Sequence, residues 1–354
     1  MHRYIEHLII FLITIFVTDG VLAVKTKIIE QRTNDITFHP MSNSLYATVP
    51  GSDGPPFGNS LIEIDVQNAQ IVRHLAVGSD PGVIVSSPNE PYLYIGLEGA
   101  GRIVQVNALT LDIKRVIEID PGLFGPVFAE SIAVISDEIE TFSVSLQSPE
   151  TNPRFERIDL FRQGIKMPGS FSGSSISNKI VHLSSSPKLF GFDSETTGGA
   201  ISEFDITDTG INFIRSQFGI SNFTVEAEIL GNLIALNSGR VVRVPEMVLE
   251  GTFPLEADVG PVTVDIQSGK FLYGTEVFDS DIGSFRIAID SYDPVSFLRT
   301  DRYFSDSILA GFFFETIKAK SGFIAGRISS SPVVEPFRIA IFDFDLIFED
   351  GFEL

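Results

Sequence analysis

The chain has 354 residues, of which 44% are hydrophobic, and a formal net charge of −21. This apolar content is enough to bury a sizeable core, which excludes an intrinsically disordered chain. The acidity disfavours nucleic acid and anionic membrane surfaces as partners. Because the sequence contains no Cys, disulfides, haem attachment and thiolate metal sites are excluded as well.

The first 23 residues have the pattern of an export signal. Arg3 precedes an uncharged apolar run at residues 8–17, which has the length of a signal-peptide core and is short for a membrane span. Val21-Leu22-Ala23 then supplies side chains suited to a cleavage site. We therefore predict a signal peptide over residues 1–23, cleavage after Ala23, and a secreted or periplasmic protein with no integral membrane segment afterwards.

The rest of the chain repeats a unit of short β-strands. Short runs with period-two apolar alternation, separated by Gly, Pro, Ser, Asn and Asp, predict β structure throughout. Residues 44–78 match residues 92–120 element by element. In four units a polar residue is followed six positions later by an Ile, and it is expected to start the turn between the third and fourth strands. These pairs are Asp65 and Ile71, Asn107 and Ile113, Asp159 and Ile165, and Asp205 and Ile211.

Seven runs are predicted to be the first strands of seven units. They are residues 35–40, 82–88, 131–137, 178–186, 225–230, 262–269 and 308–314. Units of roughly 40 to 50 residues with four short strands are typical of β-propeller blades. The seventh unit lacks a fourth strand, whereas residues 24–31 are a β-prone run left over before the first unit. We predict an all-β, seven-bladed β-propeller over residues 24–346 whose last blade is closed by residues 24–31, followed by an acidic tail at residues 347–354.

A glycine-rich turn, Gly99-Ala100-Gly101, lies between two β-prone runs of the second unit. A nucleotide-binding loop would need a helix after it and a further Gly. Residues 102–107 instead alternate as a strand. We therefore predict a hairpin in which Gly99 and Gly101 adopt positive φ.

The repeat resembles a known family. "VGSDPGVIVSSPNEPYLYIGLEGAGRIVQVNALT" (residues 77–110) and "HPMSNSLYATVPG" (residues 39–51) are similar to the units of seven-bladed propellers of the YVTN and lactonase-like superfamily. The resemblance implies a fold but no particular activity, since propellers host unrelated functions. The end of the chain, "DLIFEDGFEL", resembles a C-terminal DGFE signature of exported proteins in certain gammaproteobacteria. It implies an exported bacterial protein.

Carboxylates are the first candidate site. Active sites of propellers usually lie where the first strands begin, around the central channel. The predicted strand starts bring six acids to that end: Asp35, Asp80, Glu130, Glu226, Asp258 and Asp306. Such a cluster can hold Ca²⁺ or another divalent cation, with Glu130 and Glu226 as metal ligands. The more ordinary interpretation is that these acids cap turns or face solvent in an acidic chain.

Aromatic loops are the second candidate site. Phe57, Phe124 and Phe128 fall in or beside loops that the repeat places on one face. Exposed there, they would suit a protein or carbohydrate partner. The alternative is that they fill gaps between blades, as most Phe side chains must in a chain with 31 of them.

The absence of familiar catalytic patterns decides the functional expectation. No serine-hydrolase, zinc-protease or phosphate-loop motif occurs, and no two of the five His stand at metal-ligand spacing. We expect an exported, non-catalytic, monomeric propeller that acts as a binding or protein-interaction module. The alternative is a metal-dependent lactonase-like hydrolase that uses the channel carboxylates and a metal-bound water as nucleophile.

Overall fold

The computed structural model describes residues 22–173, 176–184, 186–221, 226–256, 259–280, 283–306, 312–320, 322–329 and 338–344. Within these ranges the secondary structure is β, apart from one short 3₁₀ turn at Gly51–Asp53. Most of the predicted signal peptide and all of the predicted tail lie outside the described residues.

The first strand, β1 (Leu22–Ile29), precedes four blades of contiguous chain. Blade one comprises β2 (Asp35–Phe38), β3 (Leu45–Val49), β4 (Ser60–Asp65) and β5 (Gln70–Ala76). Blade two comprises β6 (Pro81–Ser86), β7 (Tyr92–Leu97), β8 (Arg102–Asn107) and β9 (Asp112–Glu118). Blade three comprises β10 (Phe128–Val134), β11 (Thr141–Gln147), β12 (Phe155–Arg162) and β13 (Ile165–Lys166). Blade four comprises β14 (Lys179–Leu183), β15 (Lys188–Phe192), β16 (Ile201–Thr207) and β17 (Gly210–Gln217).

The last three blades follow the same order of strands. Blade five comprises β18 (Ala227–Leu230), β19 (Leu233–Leu236), β20 (Arg240–Arg243) and β21 (Val248–Thr252). Blade six comprises β22 (Val262–Asp265), β23 (Lys270–Asp279), β24 (Ser284–Tyr292) and β25 (Arg299–Ser305). Blade seven comprises β26 (Phe313–Lys320), β27 (Phe323–Ser329), β28 (Arg338–Asp343) and the returning β1.

The first strands of the seven blades form a closed ring around a central channel. Each of β2, β6, β10, β14, β18, β22 and β26 packs beside the next, and β26 packs beside β2. The fold is therefore the predicted all-β, seven-bladed propeller of four-stranded blades.

Strand β1 closes the ring. Residues from Lys25, opposite Asp343, to Ile29, opposite Ile339, pair antiparallel with β28. The preceding residues 22–24 pair in parallel with β25, which joins blades six and seven into a continuous eight-stranded sheet. The first and last described strands of the chain are thus neighbours, and no blade edge is left open at the seam. This confirms the predicted closure.

The hydrophobic core lies between neighbouring blades. Ile62 of blade one and Ile341 of blade seven belong to one buried cluster, which packs the closing blade onto the first. Tyr94 of blade two meets Phe142 of blade three with ring centroids 4.6 Å apart. The blades thus pack face to face through apolar side chains, and charged side chains buried among them, such as Asp159, have ion-pair partners.

Two of the four predicted turn residues take that role. Asp65 and Asn107 each accept hydrogen bonds from the backbone N–H groups two and three residues further on. Asp159 and Asp205 instead lie inside β12 and β16, so for them the prediction is wrong. Asp159 is fully buried and contacts Arg157, with 2.9 Å between Nε and Oδ2. A polar residue at the same spacing from an Ile therefore starts a turn in two blades and forms a buried ion pair in a third.

Two further expectations need correction. The first strand of blade seven begins at Phe313 and extends to Lys320, whereas the sequence predicted residues 308–314. Gly101 adopts positive φ (58°) in the β7–β8 hairpin, as predicted, but Gly99 does not. A single left-handed residue is enough to close this turn.

Candidate functional site

A large cavity lies in the central channel, among the inner strands of the blades. It encloses about 700 Å³ and receives side chains from all seven inner strands. Its ionisable lining comprises the carboxylates Asp35, Glu98, Glu130, Glu226, Glu228 and Glu315, the cations Lys179, Lys318 and Arg327, and His182. Six carboxylates against three cations leave three negative charges in excess when all are ionised.

Two of these carboxylates are aimed into the channel by β-bulges. The pairing of β10 with β11 skips Glu130, and the pairing of β26 with β27 skips Glu315. A bulge adds one residue to a strand, bends it and redirects the extra side chain. Both glutamates line the channel as a result.

Both lysines of the channel are held in ion pairs. Lys179 of blade four lies 2.9 Å from Glu130 of blade three. Lys318 of blade seven lies 2.6 Å from Glu228 of blade five, so its stem passes in front of blade six. Burial lowers the pKa of Lys318, but its carboxylate neighbours outweigh this effect and hold that pKa above the usual range.

Glu226 differs from these paired groups. It lies immediately before β18, half-buried, and in the described part of the chain its carboxylate makes no hydrogen bond or ion pair. Burial raises the pKa of Glu226 to about 7. Lys318 and Lys179 oppose that rise, while Glu228 and Glu315 add to it. At neutral pH this carboxyl group is poised between its charged and neutral forms.

Three of the predicted acids meet at the channel and two do not. Asp35, Glu130 and Glu226 line it, and Asp35 accepts hydrogen bonds from the backbone N–H groups of Ile36 and Ile84 at 2.8 and 3.0 Å. Asp35 therefore ties blade one to blade two.

Asp80 and Asp306 lie elsewhere, and Asp258 is outside the described residues. Asp80 accepts a hydrogen bond from the N–H of Gly51 at 2.9 Å and organises the loops above blades one and two. Asp306 accepts one from the N–H of Thr26 at 2.7 Å and holds β1 against blade six. Both acids act as caps.

The three predicted phenylalanines are not brought into contact with one another. Phe57 is half-buried against the core of blade one and meets His74 edge-on, with ring centroids 5.2 Å apart. Phe124 is 61% exposed in the loop before β10, while Phe128 begins that strand opposite Gln147. Only Phe124 is displayed to solvent as a binding side chain would be.

The donor set does not match a metal centre. Among the described residues, no group of three or more His, Asp or Glu side chains could hold a metal ion. Ca²⁺ takes six to eight oxygen ligands at one point. Glu130, one of the two predicted ligands, is instead engaged by Lys179 and by the side-chain amide of Gln147.

Six charged residues of the channel were not identified from the sequence. They are Glu98, Lys179, Glu228, Glu315, Lys318 and Arg327. For the four in or beside first strands the signal was present, since "NKIVHL", "AEIL" and "FETIKAK" place charged residues within otherwise apolar runs. Charged residues occur in these strands because the first strand of each blade lines the solvent-accessible channel.

Comparison with known proteins assigns no family. No protein-family model matches the chain, and no curated protein sequence matches it. The propeller fold is established by the strand topology, and the resemblance to the YVTN and lactonase-like superfamily stays a prediction. In the described residues there is no helix of the length and apolar character that a membrane span needs.

Proposed function

We propose that this chain is an exported propeller of the YVTN and lactonase-like type that binds a small ligand in its central channel without transforming it. The channel carries the proposal. Its volume of about 700 Å³ falls within the range of small-molecule sites. Its lining combines apolar side chains with many ionisable groups, which suits a small charged or polar ligand.

The bonding of the polar groups supports binding rather than catalysis. In the described part of the channel, no serine or threonine hydroxyl is hydrogen-bonded to a histidine or carboxylate side chain, which is the pairing that activates such nucleophiles. His182 directs Nε2 at the Ser186 carbonyl, 2.9 Å away, and burial lowers its pKa. The lysines are held by carboxylates.

The hydrolase alternative finds less support. It requires a metal at Glu130 and Glu226, and the pairing of Glu130 with Lys179 leaves that carboxylate to a protein cation. Adding Ca²⁺, Mg²⁺, Mn²⁺ or Zn²⁺ to the purified protein tests this alternative. We expect no metal-specific rise in Tm, whereas a stoichiometric metal that raises Tm would favour the hydrolase.

Ligand binding is tested by a thermal-shift screen against amines, carboxylic acids, sugars, nucleotides, amino acids and Ca²⁺. The matched proteins are the wild type, Val181→Phe on channel strand β14, and Val116→Phe on outer strand β9, where the side chain is 48% exposed. We expect at least one compound class to raise the Tm of the wild type and of Val116→Phe but not of Val181→Phe. Each stabilising compound should be recovered chemically unchanged.

Several results would contradict this proposal. A screen in which no class acts, or in which all three proteins respond equally, removes the channel as a binding site. Conversion of a stabilising compound removes the non-catalytic part. A second filling variant, Val85→Phe on β6, covers the case in which Val181→Phe does not fold.

Export is tested by the mass of the protein produced with its own first 23 residues. We expect a mature chain that begins at Val24. The antiparallel ladder that closes blade seven starts at Lys25, so this cleavage leaves that ladder complete and removes only Leu22 and Ala23, which pair with β25. An uncleaved chain in the cytoplasmic fraction would contradict the proposal.

A further inference from the structure

Three carboxylates of the channel lining have no partner in the described part of the chain: Glu98 of blade two, Glu226 and Glu315. Within the described residues, neither Glu226 nor Glu315 makes a side-chain hydrogen bond or an ion pair. They come from blades five and seven, and the charge of Glu315 is one of the causes that raise the pKa of Glu226. The Lys318–Glu228 ion pair shows that side chains of these two blades reach each other across the channel. A ligand cation between the two like charges would lower their repulsion.

The same wall of the channel already binds an alkylammonium group of the protein itself. The Nζ atom of Lys318 lies 2.6 Å from Oε1 of Glu228, and the lysine stem spans from blade seven to blade five. Glu315 precedes Lys318 on β26, and Glu226 precedes Glu228 at the start of β18. The unpaired carboxylates Glu226 and Glu315 thus lie on the same two blades as this bridge, nearer to the strand starts.

Resting on the proposed binding function, we propose that the channel binds a small aliphatic amine, with its primary ammonium group between Glu226 and Glu315. An ammonium group donates charge-assisted hydrogen bonds of about 2.7–2.9 Å to carboxylates. It needs one oxygen per donor, whereas a metal ion needs a converging set that the described residues do not provide.

The rest of the lining fits the hydrocarbon part and the charge of such a ligand. Between blades five and seven, blade six contributes only the buried Val262 to the described lining, and β18 contributes the half-buried Ile229. Because blade six adds no charged side chain to the described lining, methylene groups of a ligand can lie against this part of the channel. The three excess negative charges of the channel favour a ligand with more than one ammonium group.

The test is a calorimetric titration of 1,4-diaminobutane into the protein at constant ionic strength. Tetramethylammonium, which has the charge but no N–H donor, and Ca²⁺ are titrated in parallel. The variants are Glu226→Gln and Glu315→Gln. The control is Glu118→Gln, whose side chain is 69% exposed on outer strand β9 and pairs with Arg102.

We expect saturable binding of 1,4-diaminobutane to the wild type and to Glu118→Gln. Either channel variant should weaken it by about tenfold or more, and both comparison cations should bind about tenfold more weakly than the diamine. Comparable binding of tetramethylammonium, or an unchanged affinity in both channel variants, would overturn the proposal. Near-UV circular dichroism verifies folding, and the exposed position of Glu315 keeps its variant usable if Glu226→Gln is misfolded.

Failure of this proposal is distinguishable from failure of the proposed function. If no amine binds but another compound class stabilises the wild type and not Val181→Phe, the amine assignment is wrong and the binding function stands. If no class stabilises the wild type, both are wrong.

Discussion

Carboxylates packed within the blades have cationic partners, whereas Glu226 in the channel lining has none among the described residues. Glu140, immediately before β11 of blade three, contacts both Lys114 and Arg115 of β9. Glu203 in blade four likewise contacts Lys188 and Arg215. In each case burial raises the pKa, but the cations outweigh burial and leave the pKa of the glutamate below its usual value.

For Glu226 in the channel lining, the balance between burial and neighbouring cations is reversed. Glu226 has no ion-pair partner among the described residues, burial dominates, and its pKa rises to about 7. An unpaired carboxylate of this kind lowers the stability of the folded chain when it ionises. The difference indicates that the blades use charge for packing, while the channel keeps charge available for a ligand.

The largest effect is expected where a paired carboxylate is fully buried. Asp290 in blade six is 1% exposed and accepts two hydrogen bonds of 2.6 Å from Arg302. Asp290→Asn should lower the free energy of unfolding by about 3 kcal/mol because it removes the buried charge that pairs with Arg302 and leaves that half-buried guanidinium with Glu256 alone. Urea denaturation measures this, with Glu118→Gln as the exposed control. Equal losses in the two variants would show that the buried pair contributes nothing special.

The next effect has the opposite sign. Glu226→Gln should raise the free energy of unfolding by about 2 kcal/mol at pH 8 and leave it unchanged at pH 4. The folded-state pKa lies above the unfolded value, so the wild type loses stability as pH rises from about 4.5 to about 7 and is level beyond that. Urea denaturation at the two pH values gives the difference. Destabilisation at pH 8 would mean that the carboxylate has a stabilising partner.

A paired glutamate should show the reverse dependence. Glu140→Gln should cost about 1 kcal/mol at pH 7, because Lys114 and Arg115 lose their common partner. The pKa of Glu140 is lowered in the folded state, so its contribution is present above the unfolded value and lost as pH falls through the folded one. The two proteins should therefore become equally stable in acid. A gap that persists in acid would assign the effect to packing.

The smallest effect is expected at Glu315. This side chain is exposed, so Glu315→Gln should change the free energy of unfolding by less than about 0.5 kcal/mol. It should nonetheless lower the pKa of Glu226, because one of the charges that raise it is removed. Carboxyl NMR of the two proteins compares the midpoints. An unchanged midpoint would show that the two carboxylates do not sense each other.

Much of the fold could be predicted from the sequence because each blade repeats one pattern. The spacing between a polar residue and the following Ile correctly predicted the turns at Asp65 and Asn107. The β-prone run at residues 24–31 correctly predicted the closing strand. The same spacing misled at Asp159 and Asp205, because strands there run past the polar residue and bury it or pair it. Strand length depends on packing against the neighbouring blade, which a local pattern does not contain.

The channel site was predicted only in part for a related reason. Asp35, Glu130 and Glu226 stand at strand starts, so counting strands located them. Glu315 was missed because the first strand of blade seven was predicted at residues 308–314, whereas it runs from Phe313 to Lys320, so Asp306 was selected in its place. Lysines were missed because acids alone were sought, although Lys179 and Lys318 decide which carboxylates stay unpaired.

The most direct test is a carboxyl NMR titration of Glu226, assigned by its loss in Glu226→Gln and recorded with and without 1,4-diaminobutane. We predict a pKa of about 7 for Glu226 in the free protein, while that of Glu140 lies below its usual value. Saturation with the amine should lower the pKa of Glu226, because a bound ammonium favours the charged form. A Glu226 midpoint at or below about 4.5 in the free protein, or one that the amine leaves unmoved, would contradict an unpaired carboxylate reserved for a cationic ligand.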